Sequence, residues 1–291
     1  MSLKTISIFS FSVGANIQGP ESVINMIESS TFLNEYIPGF RFGKNESKNI
    51  RIEINSAYKE NITLFESEDA AVIHFRNEYT DKDIISLIEL VLEYYRQKRG
   101  IFTIHGSACD YKGSGFLIIG GASGIGKSTL AYKLSEKTSD FEFIGDEKIC
   151  VNNRGEIIGG IQKVGINQKI NTGNSDKSIS LWYGTASKIS TIIQPILCDD
   201  GKLDVFEWNE ASKKWHLYEE FSRKIRAVSR MAAGIPIQSI DSDKIAIKRL
   251  NFIDYLVLNN SIKAFTIQGD IVEVINYLQN KVKGHSDAQI C

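Results

Sequence analysis

The chain of 291 residues has four cysteines, and they are scattered. No CxxC pair occurs, and no histidine stands at metal-ligand spacing from a cysteine. A disulfide framework or a structural zinc site needs such pairs, so neither is expected. Cys109 and Cys150 lie in apolar, strand-like stretches and read as buried, reduced thiols, whereas Cys291 closes a polar tail. No apolar run approaches the ~18 residues of a membrane span, so no membrane partner is expected. The formal net charge of −1 argues against a general nucleic-acid binder and leaves room only for a local basic face. Internal repeats and low-complexity segments are also missing. Near the start, Lys4 precedes Ile6-Ser-Ile-Phe-Ser-Phe-Ser-Val13. Serines interrupt this run and its apolar residues nearly alternate, which predicts a β-strand and not a targeting segment. The expected compartment is the cytoplasm.

Against these absences stands one dense signal, Gly121-Ala122-Ser123-Gly124-Ile125-Gly126-Lys127-Ser128. It fits G-x-x-x-x-G-K-[ST], the phosphate-binding loop. Small residues let successive backbone N–H groups curl around phosphate oxygens. Gly124 and Gly126 supply the positive φ values that such a curl requires. Lys127 is expected to reach the β- and γ-phosphates, and the Ser128 hydroxyl to ligate Mg²⁺. Phe116–Ile119 reads as a buried strand entering the loop. Ser128, Thr129 and the residues to Leu134 read as a helix leaving it, whose N-terminal end favours anions. Residues 121–129 are therefore the expected nucleotide site.

The length fits about two domains of ~150 residues each. We expect a small α+β domain over 1–97, a catalytic domain over 98–285 and a polar tail over 286–291. In the first part, Ile50–Ile54, Asn61–Phe65 and Ala70–Phe75 read as strands. Thr80 with Asp83 predicts a capped helix start, Ile84, Leu87, Ile88 and Val91 its buried face, and Gly100 its stop. In the second part, strands are expected over Ile101–Asp110 and Phe141–Ile144, the latter ending at Gly145-Asp146-Glu147. A hairpin is expected around Asn153-Arg154-Gly155, and another joining Ile189–Leu197 to Leu203–Trp208 through Asp200-Gly201. Residues 171–177 read as a loop. A helix over Tyr218–Ala233 would carry an apolar stripe of Phe221, Ile225, Val228 and Ala232, and a basic stripe of Arg223, Arg226 and Arg230. Ala246–Leu250 and Ala264–Ile267 read as strands, and Ile271–Val282 as a final helix.

Phosphoryl transfer needs positioning, charge neutralisation and a group that takes the proton of the nucleophile. Asp146 fits the last role, because it follows a strand soon after the loop helix and so falls near the loop. Glu147, its neighbour, would share Mg²⁺ with Ser128 and Asp146. The plainer reading of Asp146-Glu147 is a surface turn with two acids.

Ile104-His105-Gly106, then Gly113-x-Gly115, then Gly-Ile-Gly-Lys-Ser, then Gly145-Asp146-Glu147, together resemble the catalytic domain of the HPr kinase/phosphorylase family. That family has a His-Gly strand upstream, a phosphate loop often reading Asp-Ser-Gly-Ile-Gly-Lys-Ser, and an Asp-Asp pair downstream. It shares its core with phosphoenolpyruvate carboxykinase. The resemblance implies an ATP- and Mg²⁺-dependent kinase acting on a serine of a protein or peptide. By position, Asp146 would take the serine proton, Glu147 would stand at the second Asp, and His105 would sit beside the reacting phosphate. The catalytic set would be Asp146, His105 and Lys127. The family's Arg-Gly signature and Pro-Gly-Arg-Asn stretch are not found; Lys163 stands near the place of the first. The chain is also similar to HPr-kinase-like proteins of peptide natural-product pathways, which phosphorylate a serine of a lasso-type precursor. HPr kinases are often hexamers, so a homo-oligomer is compatible with the resemblance.

Two other readings stay open: a small-molecule kinase on the same core, and a nucleotide-binding regulatory module with little turnover. There is no Leu-Ser-Gly-Gly transporter signature and no Asn-Lys-x-Asp guanine-reading motif. The expected fold is α/β: a P-loop kinase core of the HPr kinase type with a mixed sheet, plus the small N-terminal α+β domain. The many hairpin signals argue against a purely parallel sheet.

Overall fold

The computed structural model describes residues 2–44, 46, 48–58, 61–76, 78–121, 124–137, 140–161, 184–199, 202–226, 239–259 and 261–286. Ala122, Ser123, Lys163, loop 171–177, Asp200-Gly201, Val228, Arg230, Ala232 and Cys291 lie outside them. The chain is an α/β protein with two mixed sheets. It divides into two compact units, Met1–Thr103 with Phe221–Phe252, and Ile104–Glu220 with Ile253–Cys291.

The first unit begins with β1 (Leu3–Ser10), β2 (Val13–Pro20), α1 (Glu21–Glu28), α2 (Phe32–Tyr36) and β3 (Phe40–Phe42). It continues with β4 (Ile50–Ser56), β5 (Asn61–Phe65), β6 (Ala70–Phe75), α3 (Asp81–Lys98) and β7 (Ile101–Ile104), whose last residue opens the second unit. Its six-stranded sheet has the order β3-β1-β2-β4-β6-β5. The run over residues 6–13 is not one strand. It breaks into the β1–β2 hairpin because Phe11 takes φ 53° and reverses the chain. The start of α3 follows the sequence: Asp83 N donates to Thr80 Oγ1, and Thr80 N donates to Asp83 Oδ2 at 2.9 Å. Ile84, Leu87, Ile88 and Val91 are buried against the sheet. Residues 221–252, expected in the second domain, belong to this unit instead. Phe252 stacks on Phe102 with ring centroids 4.6 Å apart, and Ile225 and Ile245 enter the same core as β1, β4 and α3.

The second unit comprises β8 (Gly106–Tyr111), β9 (Ser114–Ile119), α4 (Lys127–Lys137), β10 (Phe141–Asn152), β11 (Glu156–Ile161), β12 (Ser187–Leu197) and β13 (Asp204–Glu207). Then come α5 (Glu210–Arg226) and α6 (Asp243–Leu258), each of which crosses the division between units, then β14 (Lys263–Gly269) and α7 (Ile271–Ser286). The strands run in the order β11-β10-β8-β9-β12-β14-β13. β9, β12 and β14 are mutually parallel, and the flanking pairs are antiparallel. β8 and β9 are joined through Lys112 and Gly113 at φ 51° and 87°, as a tight two-residue turn requires. Leu130, Ala131 and Leu134 of α4 are fully buried against Phe116, Ile118 and Phe143 of the sheet and against Val274 and Leu278 of α7. Burial of each leucine contributes about 1.5–3 kcal/mol to holding α4 on the sheet.

Four further expectations are corrected. The strand expected over Ile101–Asp110 is interrupted at His105. β10 does not end at Gly145-Asp146-Glu147 but runs on to Asn152. β12 and β13 do not pair with each other, because β14 lies between them. Ala246–Leu250 is helical, within α6, because Ile245, Arg249, Phe252 and Leu256 bury one face at helical spacing. Among the described residues, no helix is long and apolar enough to cross a membrane.

Candidate functional site

The loop that follows β9 leads directly into α4, so the strand–loop–helix order expected around the motif is present. The carbonyl of Gly126 accepts from Leu130 N at 2.8 Å, which sets the first turn of α4 immediately behind the loop. Ile125 O accepts from Leu197 N at 3.3 Å, tying the loop to the end of the parallel neighbour β12. Gly121 and Gly124 are exposed, while the Lys127 side chain is almost wholly buried. Its ammonium donates to the Gly120 carbonyl at 2.9 Å, so the charge is folded back onto the loop itself. Thr129 follows in the first turn of α4.

Asp146 reaches this loop from β10. It lies within the strand at a β-bulge: the register with β11 shifts between Asp146 and Ile149, and Glu147 takes φ 65°. A bulge re-aims side chains locally, and here it separates two neighbouring acids. The Asp146 side chain is buried, at 1 % exposure. Its Oδ1 accepts from Ser128 Oγ at 3.0 Å and from Ser107 Oγ at 2.5 Å. Glu147, by contrast, is 54 % exposed and points at a different neighbour. Its carboxylate lies 3.6 Å from His105 Nδ1, and its backbone carbonyl accepts from the same Nδ1 at 3.1 Å. A carbonyl can only accept, so the proton of this histidine sits on Nδ1.

Ser128 and Asp146 therefore come together, Lys127 rests instead on the Gly120 carbonyl, and His105 joins Glu147 in a second contact reached from the same stretch of β10. Ala122 and Ser123 lie outside the described residues. Sequence reasoning missed Ser107, which meets Asp146 from β8, and Gly120, whose carbonyl holds Lys127. The signal for Ser107 was its period-two partner Cys109. Cys109 faces α4, its thiol donating to Ala131 O at 3.3 Å. A residue two positions earlier on β8 faces the same way. Burial pushes the Cys109 thiol up to about 12, with the hydrogen bond to Ser135 opposing the shift.

Among the described residues, no group of three or more His, Cys, Asp and Glu side chains is placed to hold a metal ion. The residues present still fit Mg²⁺ bound with a nucleotide, which uses one or two carboxylates and takes its other ligands from phosphate and water. Ser128 and Asp146, an adjoining hydroxyl and carboxylate, are the side chains that would hold it. No protein-family model matches this chain, and no curated protein matches it.

Proposed function

We propose that the second unit is a P-loop kinase core of the HPr kinase type. In this reading it binds ATP with Mg²⁺ at residues 121–129 and transfers the γ-phosphate to a serine hydroxyl of a protein or peptide. The observation that carries the reading is the convergence of Ser107 and Ser128 on buried Asp146 at the mouth of the strand–loop–helix unit. A Gly-rich turn with no phosphate role would have no need for a buried carboxylate beside its Lys-Ser pair.

Each residue has a defined task in this proposal. Backbone N–H groups of the loop and the N-terminal end of α4 bind phosphate oxygens. Lys127 leaves the Gly120 carbonyl and places its charge against the β- and γ-phosphates. Ser128 and Asp146 would hold Mg²⁺, which would supply charge neutralisation for the transferred phosphate. Asp146 accepts the proton of the acceptor serine as its oxygen bonds to the γ-phosphorus. The bond from that phosphorus to the β-phosphate oxygen breaks, and ADP leaves. Ser107 holds the Asp146 carboxylate in one orientation. His105, fixed through Nδ1 by Glu147, stands on the acceptor side.

The test is transfer from ATP with Mg²⁺ onto HPr-like proteins and serine-containing peptides, read by intact mass. Asp146→Asn is expected to lower the rate about 10²–10⁴-fold, the usual worth of a positioned base, and Lys127→Ala to weaken nucleotide binding as well. If the wild type binds ATP but modifies no acceptor, the kinase reading fails and a binding module replaces it.

A further inference from the structure

A second site lies wholly within the first unit and shares no residue with the candidate site described above. It is a cleft of about 650 Å³ between β5, the end of α3 and the start of α6. Leu64, Phe65 and Ile245 line it with apolar surface, and Lys98, Lys244 and Lys248 line it with charge. The one carboxylate in its lining is Glu66, which leaves three positive groups facing one negative group in a protein of net charge −1.

The lysines are held differently. Lys98 Nζ donates to Asp69 Oδ1 at 2.5 Å and to Glu66 O at 3.0 Å. Lys248 Nζ donates to the Lys98 carbonyl at 2.7 Å, so its charge has no carboxylate against it among the described residues. Lys244 is 85 % exposed, with Glu66 Oε2 3.9 Å away. The Glu66 carboxylate is itself engaged by the Tyr94 hydroxyl at 2.5 Å.

β5 supplies the second half of the argument. It is an edge strand, paired with β6 alone among the described residues. In an antiparallel pair, every other residue turns its N–H and C=O away from the partner, so one side of β5 presents backbone donors and acceptors. Phe65, at the end of this strand and in the cleft lining, is left 43 % exposed. An extended peptide that adds to such an edge gains main-chain hydrogen bonds and places alternate side chains into flanking pockets. Here the flanking pocket is basic with an apolar floor.

We propose that this cleft and the β5 edge bind an extended acidic peptide segment, with carboxylates meeting Lys244 and Lys248 and an apolar residue resting on Leu64, Phe65 and Ile245. The inference does not depend on phosphoryl transfer.

The test uses the full chain and a labelled peptide alternating glutamate with valine, followed by fluorescence anisotropy at about 0.15 M salt, where surface charges are screened beyond ~8 Å. Saturable binding is expected. Reversal of both lysines, Lys244→Glu with Lys248→Glu, should weaken it by about tenfold or more. Lys244→Glu alone, at a side chain that barely touches the protein, should weaken it without changing the melting curve. Backbone N-methylation of alternate peptide residues, or replacement of glutamate by lysine, should abolish it. The proposal is overturned if no saturable binding is seen, if charge reversal leaves affinity unchanged, or if inorganic phosphate in excess displaces the peptide completely. The last result would make the cleft a small-anion site.

Discussion

Alanine at Gly126 tests whether the loop is packed as described. Gly126 takes φ 101°, where an L-residue costs about 1–3 kcal/mol. A Cβ added there would lie 2.3 Å from Leu197 Cδ1 and 2.5 Å from its Cγ, and crowding of that kind adds about 1–3 kcal/mol more. Gly124 is the control. Its φ is 84°, but a Cβ there meets nothing within 4 Å, so only the backbone cost applies. Gly126→Ala should therefore destabilise the protein by about 1–3 kcal/mol more than Gly124→Ala does. Urea unfolding of the two variants measures the difference. Leu197→Ala removes the obstructing atoms, so adding it to Gly126→Ala should recover most of the excess, a coupling of about 1–3 kcal/mol between touching residues. Equal costs at the two glycines, or no coupling to Leu197, would refute the assigned packing of the loop against β12. Nucleotide affinity measured on the same variants should fall further at Gly126 than at Gly124.

Three more predictions concern buried polar groups. Arg96 is fully buried and pairs with Glu89 and Glu93 at 2.7 Å each; Arg96→Ala strands two carboxylates and should cost about 3–5 kcal/mol in chemical denaturation, whereas Arg51→Ala, which breaks an exposed pair with Glu68, should cost less than about 1 kcal/mol. The Cys109 thiol, raised by burial to about 12, should resist iodoacetamide at pH 8 in the native protein and react once it is unfolded, as mass mapping of the modified peptide will show. The same shift has a stability consequence: above an unfolded-state value near 9 the unfolded chain loses this proton first, so stability should fall as pH rises, by up to about 1.4 kcal/mol per unit.

Local chemistry wrote much of this fold into the chain. The capping box of α3, the hairpin turn at Asn153-Arg154-Gly155 between β10 and β11 and the strand–loop–helix around Lys127 each depend on residues within a few positions of one another. Their stabilising contacts are local, which is why spacing and residue type were sufficient to read them. The boundaries that went astray depend on distant partners. Whether Ile6–Val13 stays straight is decided at Phe11, whose ring lies against Gly39; a Cβ there would come within 2.9 Å of it. Ala246–Leu250 looks like a strand by composition, and only its burial on one helical face settles it as α6. The Asp200-Gly201 signal favoured a hairpin, but β14 competes for both strands and wins by pairing along the length of β12.

The candidate site divides in the same way. Lys127 and Ser128 are legible because the motif is contiguous. That Asp146 and Glu147, adjacent in sequence, part company is a tertiary result: the bulge in β10 turns one toward Ser107 and Ser128 and the other toward His105. Sequence alone determined which residue types were available and the segments whose signals are local, such as the capped start of α3 and the strand–loop–helix around Lys127. The sheet order, the bulge and the partner of each buried charge were decided only when the strands came together. A side chain's hydrogen-bond partner across a sheet is set by register between segments far apart in the chain, and no short window of residues contains that information.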